Sequence, residues 1–98
     1  MITITAILKT KSGHEKTMQD GLLRVAENVQ KSEPETVGFF VSQDLSNPRI
    51  FTTYERFKNK KAMDAHNNSE TVARFFEIAT PILDGDVLLF TSKEIFQK

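Results

Sequence analysis

The order in which two apolar periodicities follow one another constrains this chain most. Ile2, Ile4, Ala6 and Leu8 alternate with Thr3, Thr5 and Lys9, the period-two pattern of a strand with one buried face. Met18, Leu22, Val25 and Val29 then recur at helical spacing, and Pro34 ends that run. Thr36 to Gln43 returns to strand character, with Val37, Phe39 and Val41 on one face and Phe40 on the other. Asp44-Leu45-Ser46-Asn47-Pro48 carries turn chemistry, and the strand that comes back spans Ile50 to Phe57. A helical stretch broken at Asn67-Asn68-Ser69 follows, and Val87-Leu88-Leu89-Phe90 opens a last strand. Strand, helix, strand, strand, broken helix, strand is the split βαβ order of an α+β ferredoxin-like domain.

The local stop and start signals support these boundaries. Ser12 and Glu15 have the spacing of a capping box for the first helix. Asn59 and Ser69 are good N-caps for the two halves of the broken one. Ala62, Ala65 and His66 share a face of the first half, and Val72, Phe75, Phe76 and Ala79 form the stripe of the second. Gly21 inside a helix costs about 1 kcal/mol relative to Ala, so either close packing of the helix on the sheet offsets it or it is a tolerated defect.

In this topology the helices cover one side of the sheet only. Phe40 on the second strand, the opposed sets Phe51/Phe57 and Ile50/Tyr54 on the third, and Leu88/Phe90 against Val87/Leu89 on the fourth nevertheless put apolar groups on both faces. Leaving several hundred Å2 of such surface wet forfeits on the order of 10 kcal/mol, comparable with the whole stability of a domain this size. A homodimer formed by two sheets face to face is therefore expected. Size agrees, because 98 residues make one domain with a thin core and little room to enclose a cavity alone.

Several function classes are disfavoured. The 13 basic and 13 acidic residues balance and form no stripe, which argues against nucleic acid. Lys58, Lys60 and Lys61 read as a solvated helix start. Without cysteine there is neither a disulfide framework nor a thiolate zinc site, and His14 and His66 are too few for an imidazole metal site, so no metal is expected. Gly13, Gly21, Gly38 and Gly85 are isolated, so there is no phosphate cradle, and no flavin or nicotinamide fingerprint appears. No tightly bound cofactor is expected. The N-terminal segment lacks the features of a signal peptide and no apolar run is long enough to span a membrane, so a cytoplasmic protein with no membrane partner is expected.

Two residues carry possible chemistry. His66 sits on the inward face of a short helix, where an imidazole serves either as a base near neutral pH or as a core histidine with satisfied hydrogen bonds. Glu55 shares a strand face with Phe51 and Phe57; it either orients a nearby imidazole or is a strand-end charge paired with Lys or Arg. Tyr54 points to the opposite face and is a weaker candidate. Phe39, Phe57, Phe75 and Phe76 either line an aromatic pocket or are simply core.

Lys11-Ser12-Gly13, Asp44 to Pro48, Tyr54-Glu55-Arg56-Phe57 and Ala62-Met63-Asp64-Ala65-His66 running to Ser69 occur here in sequence. In that order and at those distances they resemble the antibiotic biosynthesis monooxygenase domain family, over nearly the whole chain. The resemblance implies a dimeric α/β barrel and cofactor-independent oxygenation of a small quinol or polyphenolic compound by O2. It implies His66 as the base and Glu55 as its orienting partner, in a cavity between sheet and helices. The chain departs from the family at Glu35, where Gly often follows Glu-Pro, and at Phe57, where Trp is common. The absence of any Trp counts against the haem-degrading relatives. The same family includes isomerases of small carbonyl compounds, and a non-catalytic, stress-associated binding dimer is a further alternative.

Overall fold

The computed structural model describes residues 1–98. Its elements are β1 (Ile2–Lys9), α1 (Glu15–Ser32), β2 (Thr36–Gln43), β3 (Ile50–Phe57), α2 (Lys60–Asn67), α3 (Glu70–Ala79), a 3-10 turn at Thr80–Ile82, and β4 (Leu88–Lys93). The strands form one antiparallel sheet in the order β2-β3-β1-β4. This is the α+β ferredoxin-like arrangement expected from the order of periodicities, with β1 and β3 central.

The helices lie on one side, and the core lies between them and the sheet. Ala6, Leu8 and Phe51 from the strands meet Met18, Leu22, Val25 and Val29 of α1 and Phe75 and Ala79 of α3. A second group, Ile4, Phe57, Ala62 and Met63, holds α2 against the end of β1 and β3. The even-numbered residues of β1 and the odd-numbered residues of β3 therefore share the covered face, because successive side chains in a strand alternate. A register shift between Thr36 and Gly38 interrupts the ladder of β2 with β3, and Thr36 beyond it still pairs with Phe57.

The other face carries no helix. Across it Phe40, Tyr54, Thr5 and Phe90 stand in register on four adjacent strands, and the Phe40 and Tyr54 rings meet at 6.2 Å. Phe40, Phe90 and Leu88 are each more than half exposed, at 56%, 55% and 53%. Arg56 of the same face makes a two-pronged ion pair with Glu94, at 2.8 and 3.0 Å, which ties the segment after β4 to β3. No helix is long and apolar enough to cross a membrane.

Three local expectations are corrected. The start of α1 has no capping box: Gly13 adopts φ +88°, His14 takes the cap position without a side-chain bond, and Glu15 reaches back to accept from the Gly13 N–H at 2.7 Å. The left-handed turn at Gly13 carries Ser12 away from the helix end. Gly21 packs closely, but against α3 and not the sheet; a Cβ there would lie 3.2 Å from Phe75 Cδ1. On α2 the inward face is Ala62, Met63 and His66, while Ala65 is exposed, because Met63 at i−3 and Ala62 at i−4 flank His66 on the side that meets the sheet. The caps at Asn59 and Ser69 are made, to Ala62 N at 2.9 Å and Val72 N at 3.2 Å.

Candidate active site

The short helix α2 is the device that aims His66. Asn59 fixes its first turn, Asn68 ends it with a backbone bond to Asp64, and the buried Ala62 and Met63 set which side faces inward. His66 is consequently only 4% exposed. Its ring packs at a tilt against Phe57, at 5.3 Å between centroids, and Phe39, at 5.8 Å.

Both ring nitrogens face carboxylates. Nδ1 lies 2.7 Å from Glu33 Oε1, and Nε2 lies 3.2 Å from Glu55 Oε1. Each carboxylate is held in turn. Glu55 Oε2 accepts from the Thr53 hydroxyl at 2.7 Å, and Glu33 accepts from the Thr36 hydroxyl at 2.8 Å and the Asn28 amide at 3.2 Å. No buried side-chain nitrogen or oxygen lacks a partner. Burial works to lower the proton affinity of His66, but the Glu55 and Glu33 carboxylates outweigh it and raise the pKa above the ordinary 6.5.

The Glu55 side of the ring borders an apolar cavity of about 70 Å3 between the sheet and the helices. Ile4, Ala6 and Leu8 of β1 floor it, Leu22 and Val25 of α1 and Val72, Phe75 and Phe76 of α3 wall it, and Val87 and Leu89 lie at the β4 side. Phe39, Thr53, Glu55, His66 and Asn67 complete the lining. The Glu33 side of the ring borders a separate polar cleft, open to solvent, formed by Asn28, Ser32, Glu33, Glu35, Thr36 and Ser69. His66 contributes to both and forms part of the wall between them.

The structure thus brings together His66, Glu55, Phe39, Phe75 and Phe76 of the residues singled out in the sequence. Phe57 is wholly buried beneath the imidazole and supports the ring without lining the cavity. Tyr54 is not in the cavity: strand alternation sends it to the helix-free face, where its hydroxyl lies 3.4 Å from Glu94 Oε2. Of the two readings of Glu55, the contact with the imidazole is the one observed, and its own pairing with Lys or Arg is not. Glu33 is the residue that sequence reasoning missed as part of the site. Its signal was present: it continues the buried stripe of Val25 and Val29 at the next interval of four, placing a carboxylate where an apolar residue would be expected. No group of three or more His, Cys, Asp or Glu side chains is arranged to hold a metal ion.

The fold and the buried acid–base cluster define an α+β domain with a small apolar pocket beside titratable groups. The sequence profile of the antibiotic biosynthesis monooxygenase family matches residues 1–78, and the chain belongs to that family. No curated protein matches the sequence. Among solved structures, an antibiotic biosynthesis monooxygenase shares 17% identity at a TM-score of 0.88, over 97% of this chain and 99% of that one. A conserved protein from Methanosarcina mazei shares 22% identity at 0.86, over 95% and 91%. A protein from Pseudomonas aeruginosa shares 19% at 0.86, over 97% and 94%. At these identities the likeness is one of fold.

Proposed function

We propose that the protein is a cofactor-independent monooxygenase acting on a small quinol or polyphenolic compound, with His66 and Glu55 handling the substrate's proton. The observation that carries this reading is a buried imidazole–carboxylate pair set into the wall of a largely apolar cavity. A phenol entering it exchanges water for apolar walls and meets one polar spot, where its hydroxyl can be deprotonated. The phenolate is electron-rich enough to pass an electron directly to O2. Overall one oxygen atom enters the ring and the other leaves as water; hydroquinone and O2 give hydroxyquinone and water, with the electrons supplied by the quinol. The cavity is far below the several hundred Å3 of a typical drug-sized site, which favours a single-ring substrate.

A homodimer through the helix-free face belongs to the same proposal. The row of Phe40, Tyr54 and Phe90 and the exposed Leu88 supply the apolar surface for it. The test of function is oxygen uptake with a panel of hydroquinones, comparing the parent protein with His66→Ala. Uptake by the parent that falls at least about a hundredfold in the variant supports the reading, in line with the usual worth of a general acid–base group. Equal rates remove His66 from the mechanism. The same proton-handling pair would also serve isomerisation of a small carbonyl compound, and turnover that persists under strict anaerobiosis would replace the oxygenase reading by that one. A purely ligand-binding role is less well supported, since His66 lines the cavity and does not turn away from it.

A further inference from the structure

We infer that Glu33 and the polar cleft beside it form the proton exit of the cavity: uptake of the substrate's proton by Glu55 is matched by release of the His66 Nδ1 proton through Glu33 to solvent. The inference rests on the proposed deprotonation of a phenol and specifies which atoms carry it out.

A carboxylate accepts and cannot donate, so a ring nitrogen 2.7 Å from one and another 3.2 Å from a second are best matched when both carry protons. A bare nitrogen lone pair facing either oxygen would be repelled. The resting ring is then an imidazolium between two carboxylates, a cluster of net charge −1, and the ring itself has no free site to accept a proton. The accepting group on the cavity side is Glu55. Thr53, Thr36 and Asn28, which hold the two carboxylates, carry no charge, Glu35 is the other ionisable side chain of the cleft, and Phe39 and Phe57 pack tilted against the ring.

The position of the ring supplies the second part. One edge borders the apolar cavity and the other borders the solvent-open cleft, and no lining residue other than His66 is shared by the two. When a phenol O–H bond breaks and its proton joins the Glu55 carboxylate, the cluster becomes neutral and the imidazolium loses its anionic partner at Nε2. Its Nδ1–H bond then breaks, the proton passes to Glu33, and from Glu33 it reaches water in the cleft. The cluster returns to −1 as protonated Glu55, neutral His66 with its proton on Nε2, and ionised Glu33, an arrangement held only while the substrate's proton stays on Glu55, because the bare Nδ1 and the Glu33 oxygen then repel each other. A phenolate remains in the cavity and one proton has entered solution, so charge and atoms balance. When Glu55 later gives its proton to reduced oxygen, Nδ1 recovers one from the cleft by the same route.

The experiment uses 4-nitrophenol, whose ionisation is visible by absorbance, mixed with the protein below the phenol's own pKa in weakly buffered solution containing a pH-indicator dye. In the parent protein ionisation of the bound phenol and appearance of the proton in solution coincide. In Glu33→Gln, which keeps the size and the Thr36 contact but cannot carry the proton, ionisation is retained, proton release lags by about tenfold or more, and added imidazole restores it. Glu77→Gln, exposed on α3 and lining neither the cavity nor the cleft, behaves as the parent. Release from Glu33→Gln as fast as from the parent, or a lag that imidazole does not relieve, overturns the exit route while leaving the phenol reading intact. Failure of the parent to bind or ionise the phenol removes both. A nitrogen-15 spectrum of the free protein gives an independent decision: His66 protonated on both ring nitrogens at neutral pH is expected, and a neutral ring overturns the inference whatever the phenol does.

Discussion

Replacing His66 by Ala should destabilise the fold by about 3–5 kcal/mol in mildly acid solution, because it leaves Glu33 and Glu55 buried without the charge between them. Both carboxylates are largely covered, at 16% and 10% side-chain exposure. At about 3 Å and an effective dielectric near 20, each contact with the imidazolium is worth roughly 5 kcal/mol before desolvation is charged against it. Most of that gross attraction offsets the cost of burying three charges, so the loss on truncation is nearer the lower figure than the sum. Loss of ring packing on Phe57 and Phe39 adds a part that does not depend on pH. The charge-dependent part has a definite sign. The folded pKa of His66 lies above 6.5, so its contribution is fully present below about 6.5 and is lost as pH rises through the folded value. Urea unfolding of parent and variant across this range measures it. The gap should be widest in mild acid and narrow on the alkaline side; a gap below about 1 kcal/mol, or one that widens with rising pH, would refute the reasoning.

Two further substitutions probe other parts of the account. Phe90→Asp, on the exposed row of the helix-free face, should convert the proposed dimer to a folded monomer in light scattering; a parent protein that already returns one chain's mass while folded contradicts the pairing. Gly21→Ala should lower the thermal midpoint, because the new methyl sits 3.2 Å from Phe75 and the resulting strain, about 1–3 kcal/mol, exceeds the roughly 1 kcal/mol gained in helix propensity. A raised midpoint would mean that Phe75 moves aside freely.

Residue patterns expose what is periodic and hide what is assembled across the chain. The strands, the broken helix and the caps at Asn59 and Ser69 were readable because each depends on neighbours within a few positions. The inward direction of Glu55 followed from alternation along β3, and the apolar helix-free face followed from strands with Phe and Leu on both sides. The capping box failed because Ser12 and Glu15 have the right spacing but Gly13 turns the backbone left-handed between them. Gly21 was expected to make room for the sheet; its partner is a phenylalanine 54 positions further on, which no local pattern names. Glu33 shows the same limit in the site. Its contact with His66 spans 33 positions and joins the end of one helix to the face of another, so only the anomaly of a charge on an apolar stripe pointed to it.

The central claim is that a small phenol occupies the cavity beside Glu55 and His66. Amide chemical shifts recorded anaerobically while hydroquinone is added test it without requiring turnover. Changes should concentrate at Phe39, Glu55, His66, Val72 and Phe75 and saturate with the ligand. Changes confined to Phe40, Tyr54 and Phe90 on the far side of the sheet, or none at all, would contradict it.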